Sequence, residues 1–443
     1  MKIKLKRLTG MTRLKLKRLL IDPRKVFFGW WITIAGGLLC IWGYGYHSYG
    51  FSALFKPISE ELGFSRTATS VAASITRFEG GLEAPLVGYL SDRYGPRISV
   101  FLGIFMAGLG MILMYAVHSL WTFYLVWSVI CATGINISLS VPLDVAITNW
   151  FVKKRGMALS IKWVFSGLSG VIGLPIVAWL TITYGWRTAC VIGGVVMWVV
   201  GLPLVWFFIK PHRPEYYGLL PDGASIKADD TAEAVQAGVE YAAEAGEMEF
   251  TARQAMKTRA FWLLVVSYMF HGALYPVMSI HCIPFLTDRG LDPLVAAGTM
   301  SIYITASLPA RFVSGVVADR VSTPTIRFLM AGAYFLQCTG VTLFLFYQQS
   351  MSALYGFFIL YGIGMGAAMT LTPVLRARYF GRKAFGTIAG VSRAFNVPVG
   401  VLGPVAAGWI YDSTGSYIPA FILFAVMLGA SAVIMSFVAP PKN

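Results

Sequence analysis

Twelve apolar stretches of about twenty residues or more divide this chain, and a stretch of that length has few ways to fold. In hydrocarbon it must satisfy its own backbone, which leaves the helix. The stretches fall at 27–55, 66–90, 97–117, 121–149, 156–183 and 187–209, and again at 260–287, 293–318, 325–347, 351–379, 384–411 and 416–438. With 57% hydrophobic and 13% charged residues, a water-soluble domain is excluded. The expectation is an all-α membrane protein of twelve transmembrane helices in two six-helix pseudo-repeats. Its parts are a basic tail at 1–26, a first half at 27–209, a linker at 210–259, a second half at 260–438 and a short tail at 439–443.

The net charge of +16 suggests nucleic acid at first sight, but it lies in short loops between apolar runs. Alternating the sides puts the basic tail, Arg93, Arg97, Lys153, Lys154, Arg155, Arg320, Arg327, Arg376, Arg378, Arg382 and Lys383 on one face. The other face receives Lys56, Arg66, Arg187 and Arg289, one per loop. The positive-inside rule then places both termini in the cytosol, in a plasma (bacterial inner) membrane. Ten Lys/Arg and one acid crowd the first 25 residues, with KLKRL at 4–8 repeated at 15–19. A secretory signal has a shorter basic region and a small-residue cleavage site, so the segment reads as a cytosolic tail against anionic lipid, with Met11 an alternative start. The linker holds nine of the twenty acids and reads as flexible, with some helix. Cys40, Cys131, Cys190, Cys282 and Cys338 are scattered through apolar segments, which implies neither a disulfide framework nor a zinc site.

Two polar hairpins interrupt the apolar pattern at matching places. The first is Gly88-Tyr-Leu-Ser-Asp92-Arg93-Tyr-Gly95-Pro96-Arg97, with glycines for a tight turn; Gly315-Val-Val-Ala-Asp319-Arg320 repeats its start 227 residues later. Trp150–Gly156 is echoed by Tyr379–Gly386, and Gly173 and Gly185 by Gly403 and Gly415, at nearly the same offset. The halves are therefore repeats, with a substrate site at their interface near mid-membrane. The hairpins resemble the Gly-x-Leu-x-Asp-Arg-x-Gly-x-Arg signature of the major facilitator superfamily, which joins the second and third helices of each half. That resemblance implies the major facilitator fold and a conformational role for Gly88, Asp92, Arg93, Gly95, Arg97, Gly315, Asp319 and Arg320.

Nothing in the chain points to ATP, a cofactor, a metal or enzymatic chemistry, for there is no Walker loop, nucleotide fingerprint or ligand cluster. The informative residues are ionisable groups inside helices, each costing about 2.5–3.5 kcal/mol at mid-membrane unless paired or wet. Counted from the loops, Arg311 lies ~12 Å and Arg393 ~15 Å deep. They read as anion ligands or as partners of Glu83 and Asp144. Glu79 and Glu83 share a helix face and either neutralise Arg77 and Arg311 or carry protons; Asp144 is a further proton-coupling candidate. Lys162 is expected to snorkel or pair. His281 reads as a satisfied polar group or a gate. Trp42, Tyr44, Tyr46, Tyr49 and Asn136 are expected to line the cavity.

Arg311 in Ala310-Arg-Phe-Val-Ser-Gly-Val-Val-Ala-Asp-Arg320 resembles the helix-eight arginine of the monocarboxylate porters and oxalate–formate exchangers. The exchangers also carry a helix-eleven cation, to which Arg393 is similar in place. Gly29-Trp-Trp31, Thr76-Arg-Phe-Glu-Gly80, Pro214–Gly223 and His281–Leu286 are similar to the bacterial branch of these porters. The resemblance implies Arg311 and Arg393 as substrate ligands, and His281, Tyr44 and Asn136 are further candidate substrate-binding residues. Animal porters place a proton-carrying Asp four residues before that arginine; Ser307 stands there here. The expected function is a monomeric secondary transporter of a small organic anion, a monocarboxylate above all, by proton symport or anion exchange. The alternatives are a proton-coupled drug antiporter and a transporter-like nutrient sensor.

Overall fold

A computed structural model describes residues 26–63, 71, 75, 76, 78–224, 230–287, 290–346 and 350–441. The basic tail, Arg66, Arg77 and Arg289 lie outside the described residues. The first helix, α1, runs as Phe28–Tyr44, a wide turn at Gly45–Tyr49, and Phe51–Leu62. It ends on Gly63 at φ +67°. The second, α2, closes with Ala84–Tyr94. Then come α3 (Pro96–Ala116), α4 (Leu120–Trp150), α5 (Arg155–Tyr184) and α6 (Trp186–Phe208). The second half comprises α7 (Arg259–Gly272 continued by Leu274–Thr287), α8 (Pro293–Arg320), α9 (Ile326–Phe346), α10 (Met351–Phe380), α11 (Phe385–Thr414) and α12 (Ile418–Ser436). Among the described residues, ten helical spans are long and apolar enough to cross a bilayer by themselves; the other two are the aromatic-rich α1 and the partly described α2. The protein is an all-α membrane protein of twelve transmembrane helices in two six-helix repeats.

The halves meet along α2–α11 and α5–α8. A Cβ placed on Gly88 would lie 2.0 Å from the Gly386 carbonyl oxygen, and one on Gly156 2.2 Å from that of Gly315. Backbone therefore rests on backbone at two symmetry-related places. This corrects the reading of Gly88 as a turn glycine: it sits inside α2, and the turn is made by Gly95 at φ +87°. Gly88→Val should still insert and fold as a half, but it should cut transport more than tenfold by holding α2 off α11. Uptake per folded molecule in proteoliposomes checks this.

Both acids of the motif bridge the halves. Asp92 accepts from the backbone N–H of Gly386 (2.9 Å) and Thr387 (2.7 Å) and from the Thr387 hydroxyl. Asp319 accepts from Gly156 and Met157 N–H at 2.6 and 2.8 Å. Each carboxylate thus caps the positive N-terminus of a helix in the opposite half. Arg97 donates to the Trp206 carbonyl and stacks on its ring, Arg93 donates to the Tyr89 hydroxyl, and Arg320 is exposed.

The linker is less free than its composition suggested. Its described part holds two short 3₁₀ turns, a helix at Thr231–Glu244 and another at Ala252–Lys257. Asp222 accepts from the N–H groups of Val152, Lys153 and Lys154 at the start of α5. Glu247 pairs with Arg155 of the first half at 2.9 Å and approaches Arg382 of the second half at 3.5 Å. Arg382 also pairs with Glu215 at 3.1 Å, and all four side chains are buried. Loop cations that orientation alone explained are thus consumed as ties. Glu247→Ala should loosen this closure, raising the reactivity of a cysteine placed at Asn149 toward a water-soluble maleimide at least threefold.

Candidate functional site

A cavity of about 390 Å³ lies between the halves, lined from α4, α5, α7, α10 and α11. The first half supplies Ser140, Val141, Asp144 and Trp163; the second supplies Tyr268, His271, Tyr275, Met369, Thr372, Arg376, Arg393 and Asn396, among others. The helix α4 breaks at Ser140 (φ −89°, ψ −113°), just before Pro142, which has no N–H to continue the ladder. That break presents the Ser140 hydroxyl to Arg393, which donates to it with one nitrogen and to Asn136 Oδ1 (3.3 Å) with the other. Glu83 stands beside Asn136 in the field of Arg393, rather than pairing with Arg311. Glu79 Oε2 and Glu83 Oε1 are buried with no hydrogen-bond partner among the described residues.

Arg311 is as deep as its position in α8 implied but is turned from this cavity. Its Nη1 donates to the Trp163 carbonyl at 2.6 Å, Tyr49 lies beside it, and no acid pairs with it among the described residues. Asp144, weighed as its partner, instead holds Lys162 at 3.0 Å. The Lys162 side chain is 0% exposed, so it pairs in the core and does not snorkel.

Three expected lining residues are spent on structure. The Tyr44 hydroxyl donates to the Leu139 carbonyl at the α4 break (3.2 Å). Trp42 and Tyr46 donate to the Gly193 and Ala189 carbonyls of α6. His281 is likewise withdrawn: its ring nitrogens face the Tyr417 hydroxyl (3.2 Å) and the Pro404 carbonyl (3.0 Å), between α7, α11 and α12. With both positions taken by protein, it is a satisfied polar group and does not line the cavity.

Arg376 was missed as a site residue. The sequence puts it four residues from the end of α10, where it counts as a loop cation. The structure turns it inward, over Tyr268 and into the cavity. His271 was also missed; it stacks on Tyr334 at 4.3 Å and meets Gln337 at 3.1 Å. The spacing of Met365, Met369, Pro373 and Arg376 along one face of α10 was the available signal.

Two six-helix repeats closed around a cationic cavity large enough for a small molecule make the architecture of a secondary transporter. The chain matches the Major Facilitator Superfamily profile over residues 37–401, and it belongs to that family. Rat (Rattus norvegicus) monocarboxylate transporter 13 is 25% identical over 423 residues, covering 94% of this chain and 90% of its own. An uncharacterized MFS-type transporter, YcxA, of Bacillus subtilis (strain 168) is 22% identical over 386 residues, 87% of this chain and 89% of its own. Among solved structures, the proton:xylose symporter XylE superposes with a TM-score of 0.68 at 14% identity, over 94% of this chain and 97% of its own. At that identity the likeness is one of fold.

Proposed function

We propose that this protein is a secondary active carrier of a small organic anion, of the monocarboxylate class, working by alternating access. One observation carries the reading: Arg376 and Arg393 line the central cavity, and the one acid lining it among the described residues, Asp144, is paired with Lys162. A cationic drug would meet like charge there. The relatives named monocarboxylate transporters support the same class.

In this reading the linker side is the cytosolic side, where basic loops gather. The structure is then the state sealed toward the cytosol. Arg393, held by Ser140 and Asn136, is a substrate ligand, with Arg311 behind Trp163 in reserve for another conformation. Glu79 and Glu83, with buried unpartnered oxygens, are the groups placed to carry a proton. The mode is proton symport or anion exchange, and the protein acts as a monomer.

Uptake into proteoliposomes should track the carboxylate, with the amide of the same acid transported at less than a tenth of the rate. Uptake of a sugar or an amine, with no response to any carboxylate, would remove the anion assignment.

A further inference from the structure

The cavity holds three strong donors that have no hydrogen-bond acceptor among the described residues. Tyr268 is 5% exposed and its hydroxyl has no hydrogen-bond partner among the described residues. The Trp163 indole N–H is buried and equally alone. Arg376 makes no hydrogen bond among the described residues, and its guanidinium carbon stands 5.8 Å from the Tyr268 ring centre. All three line the same space. A buried donor left unmade is costly, and three facing one cavity make a site suited to an acceptor, above all an anion.

The other cations are held by protein groups or, like Arg311 with its unpartnered Nε, stand outside the cavity lining. Arg393 donates to Ser140 and Asn136 and has Glu83 in its field; Lys162 holds Asp144; Arg311 donates to the Trp163 carbonyl and does not line the cavity. Asp144 faces Arg376, but its charge is shared with Lys162 at 3.0 Å. Arg376 is therefore the cavity cation with an open fork, and a guanidinium fork matches a carboxylate bidentately.

We infer that, in the conformation seen here, the carboxylate of the substrate is received by Arg376, flanked by the Tyr268 hydroxyl and the Trp163 indole N–H. The inference rests on the anion reading above and fixes its ligand set. Met365, Met369 and Pro373, spaced by four along α10, continue from Arg376 as an apolar wall. The substrate class is accordingly a monocarboxylate with an apolar body. Asn396 supplies an orphaned amide whose ends exchange by a flip, so it accommodates a donor or an acceptor on that body.

The test is equilibrium binding to the full-length protein in detergent. The probes are monocarboxylates from acetate to benzoate, with their amides, a sugar and an amine as controls. Arg376→Gln should lose at least thirtyfold in affinity for the best carboxylate, Arg376→Lys at least tenfold, and Tyr268→Phe threefold to tenfold, all with near-wild-type melting. Lys383→Gln, at an exposed cation outside the cavity, should stay within threefold, and Arg311→Gln is measured beside it. Should Arg376→Gln fail to fold, Arg376→Lys and Tyr268→Phe decide, and wild-type affinity in both overturns the inference. Loss in Arg311→Gln with retention in the Arg376 variants also overturns it, while leaving the anion reading standing. A wild-type protein that binds the amides, sugar or amine and no carboxylate removes the anion reading itself.

Discussion

Lys162→Ala is expected to destabilise the protein by about 3–5 kcal/mol, the cost of removing one partner from a buried ion pair. The ammonium is fully buried, 3.0 Å from Asp144 Oδ1 and 3.9 Å from the centre of the Trp163 ring. Without it, the Asp144 carboxyl is left at the cavity wall without its direct partner, supported by the field of Arg376. Replacing both partners, as Lys162→Met with Asp144→Leu, should recover most of the loss, because a packed apolar pair is often as stable as a buried ionic one. Melting in detergent measures both. The same double variant examines proton coupling, since one that folds, exchanges anions and has lost its proton dependence would assign the proton to Asp144. Unchanged proton dependence leaves Glu79 and Glu83. A Lys162→Ala protein that melts like the wild type would contradict the pair's structural weight.

The helices were legible because their signals are local. An apolar run of twenty residues and a loop rich in arginine are both read without knowing any neighbour. Helices α3 to α6 accordingly begin and end within a residue or two of the apolar runs. Position along a helix was legible for the same reason: 1.5 Å per residue put Arg311 and Arg393 two turns or more from the helix ends, and α8 and α11 hold them there. Direction was not. Whether Arg376 points to lipid headgroups or inward depends on Tyr268 and on the α4 wall, more than a hundred residues away in sequence. His281 looked like a ligand because its two partners, Tyr417 and the Pro404 carbonyl, come together only in the fold. The linker misled in the opposite sense. Its acids resemble a solvated coil by composition, yet Glu215 and Glu247 are buried against Arg382 and Arg155.

Those ties also bear on how the halves part. Glu247 touches both halves, whereas Glu215 and Asp222 each tie the linker to one of them. Opening on this side must break the Glu247 bridge to one half, but it can leave the other contacts in place. The linker would then travel with one half as a cover, and the cost of opening would be concentrated in few contacts. Chief among them are the two helix caps.

Asp92→Asn is expected to shift the balance between linker-side closed and open forms about thirtyfold toward open, roughly 2 kcal/mol for weakening charge-assisted hydrogen bonds at a helix N-terminus. Asparagine fits and keeps one acceptor oxygen, but it loses the charge and the second oxygen that together hold Gly386 and Thr387. Substrate affinity should move only a few-fold, because Asp92 does not line the central cavity. Turnover should fall at least tenfold, since a carrier held in one form cannot complete its cycle. Asp319→Asn should do the same through Gly156 and Met157, and because both caps act on one equilibrium their effects should add. Spin labels at the exposed Tyr94 and Lys383 positions, in a background lacking the five native cysteines, would report the shift as a longer inter-label distance. Unchanged distances in both variants, or a large loss of binding in a protein that still melts normally, would show that the two acids do something other than hold the halves together.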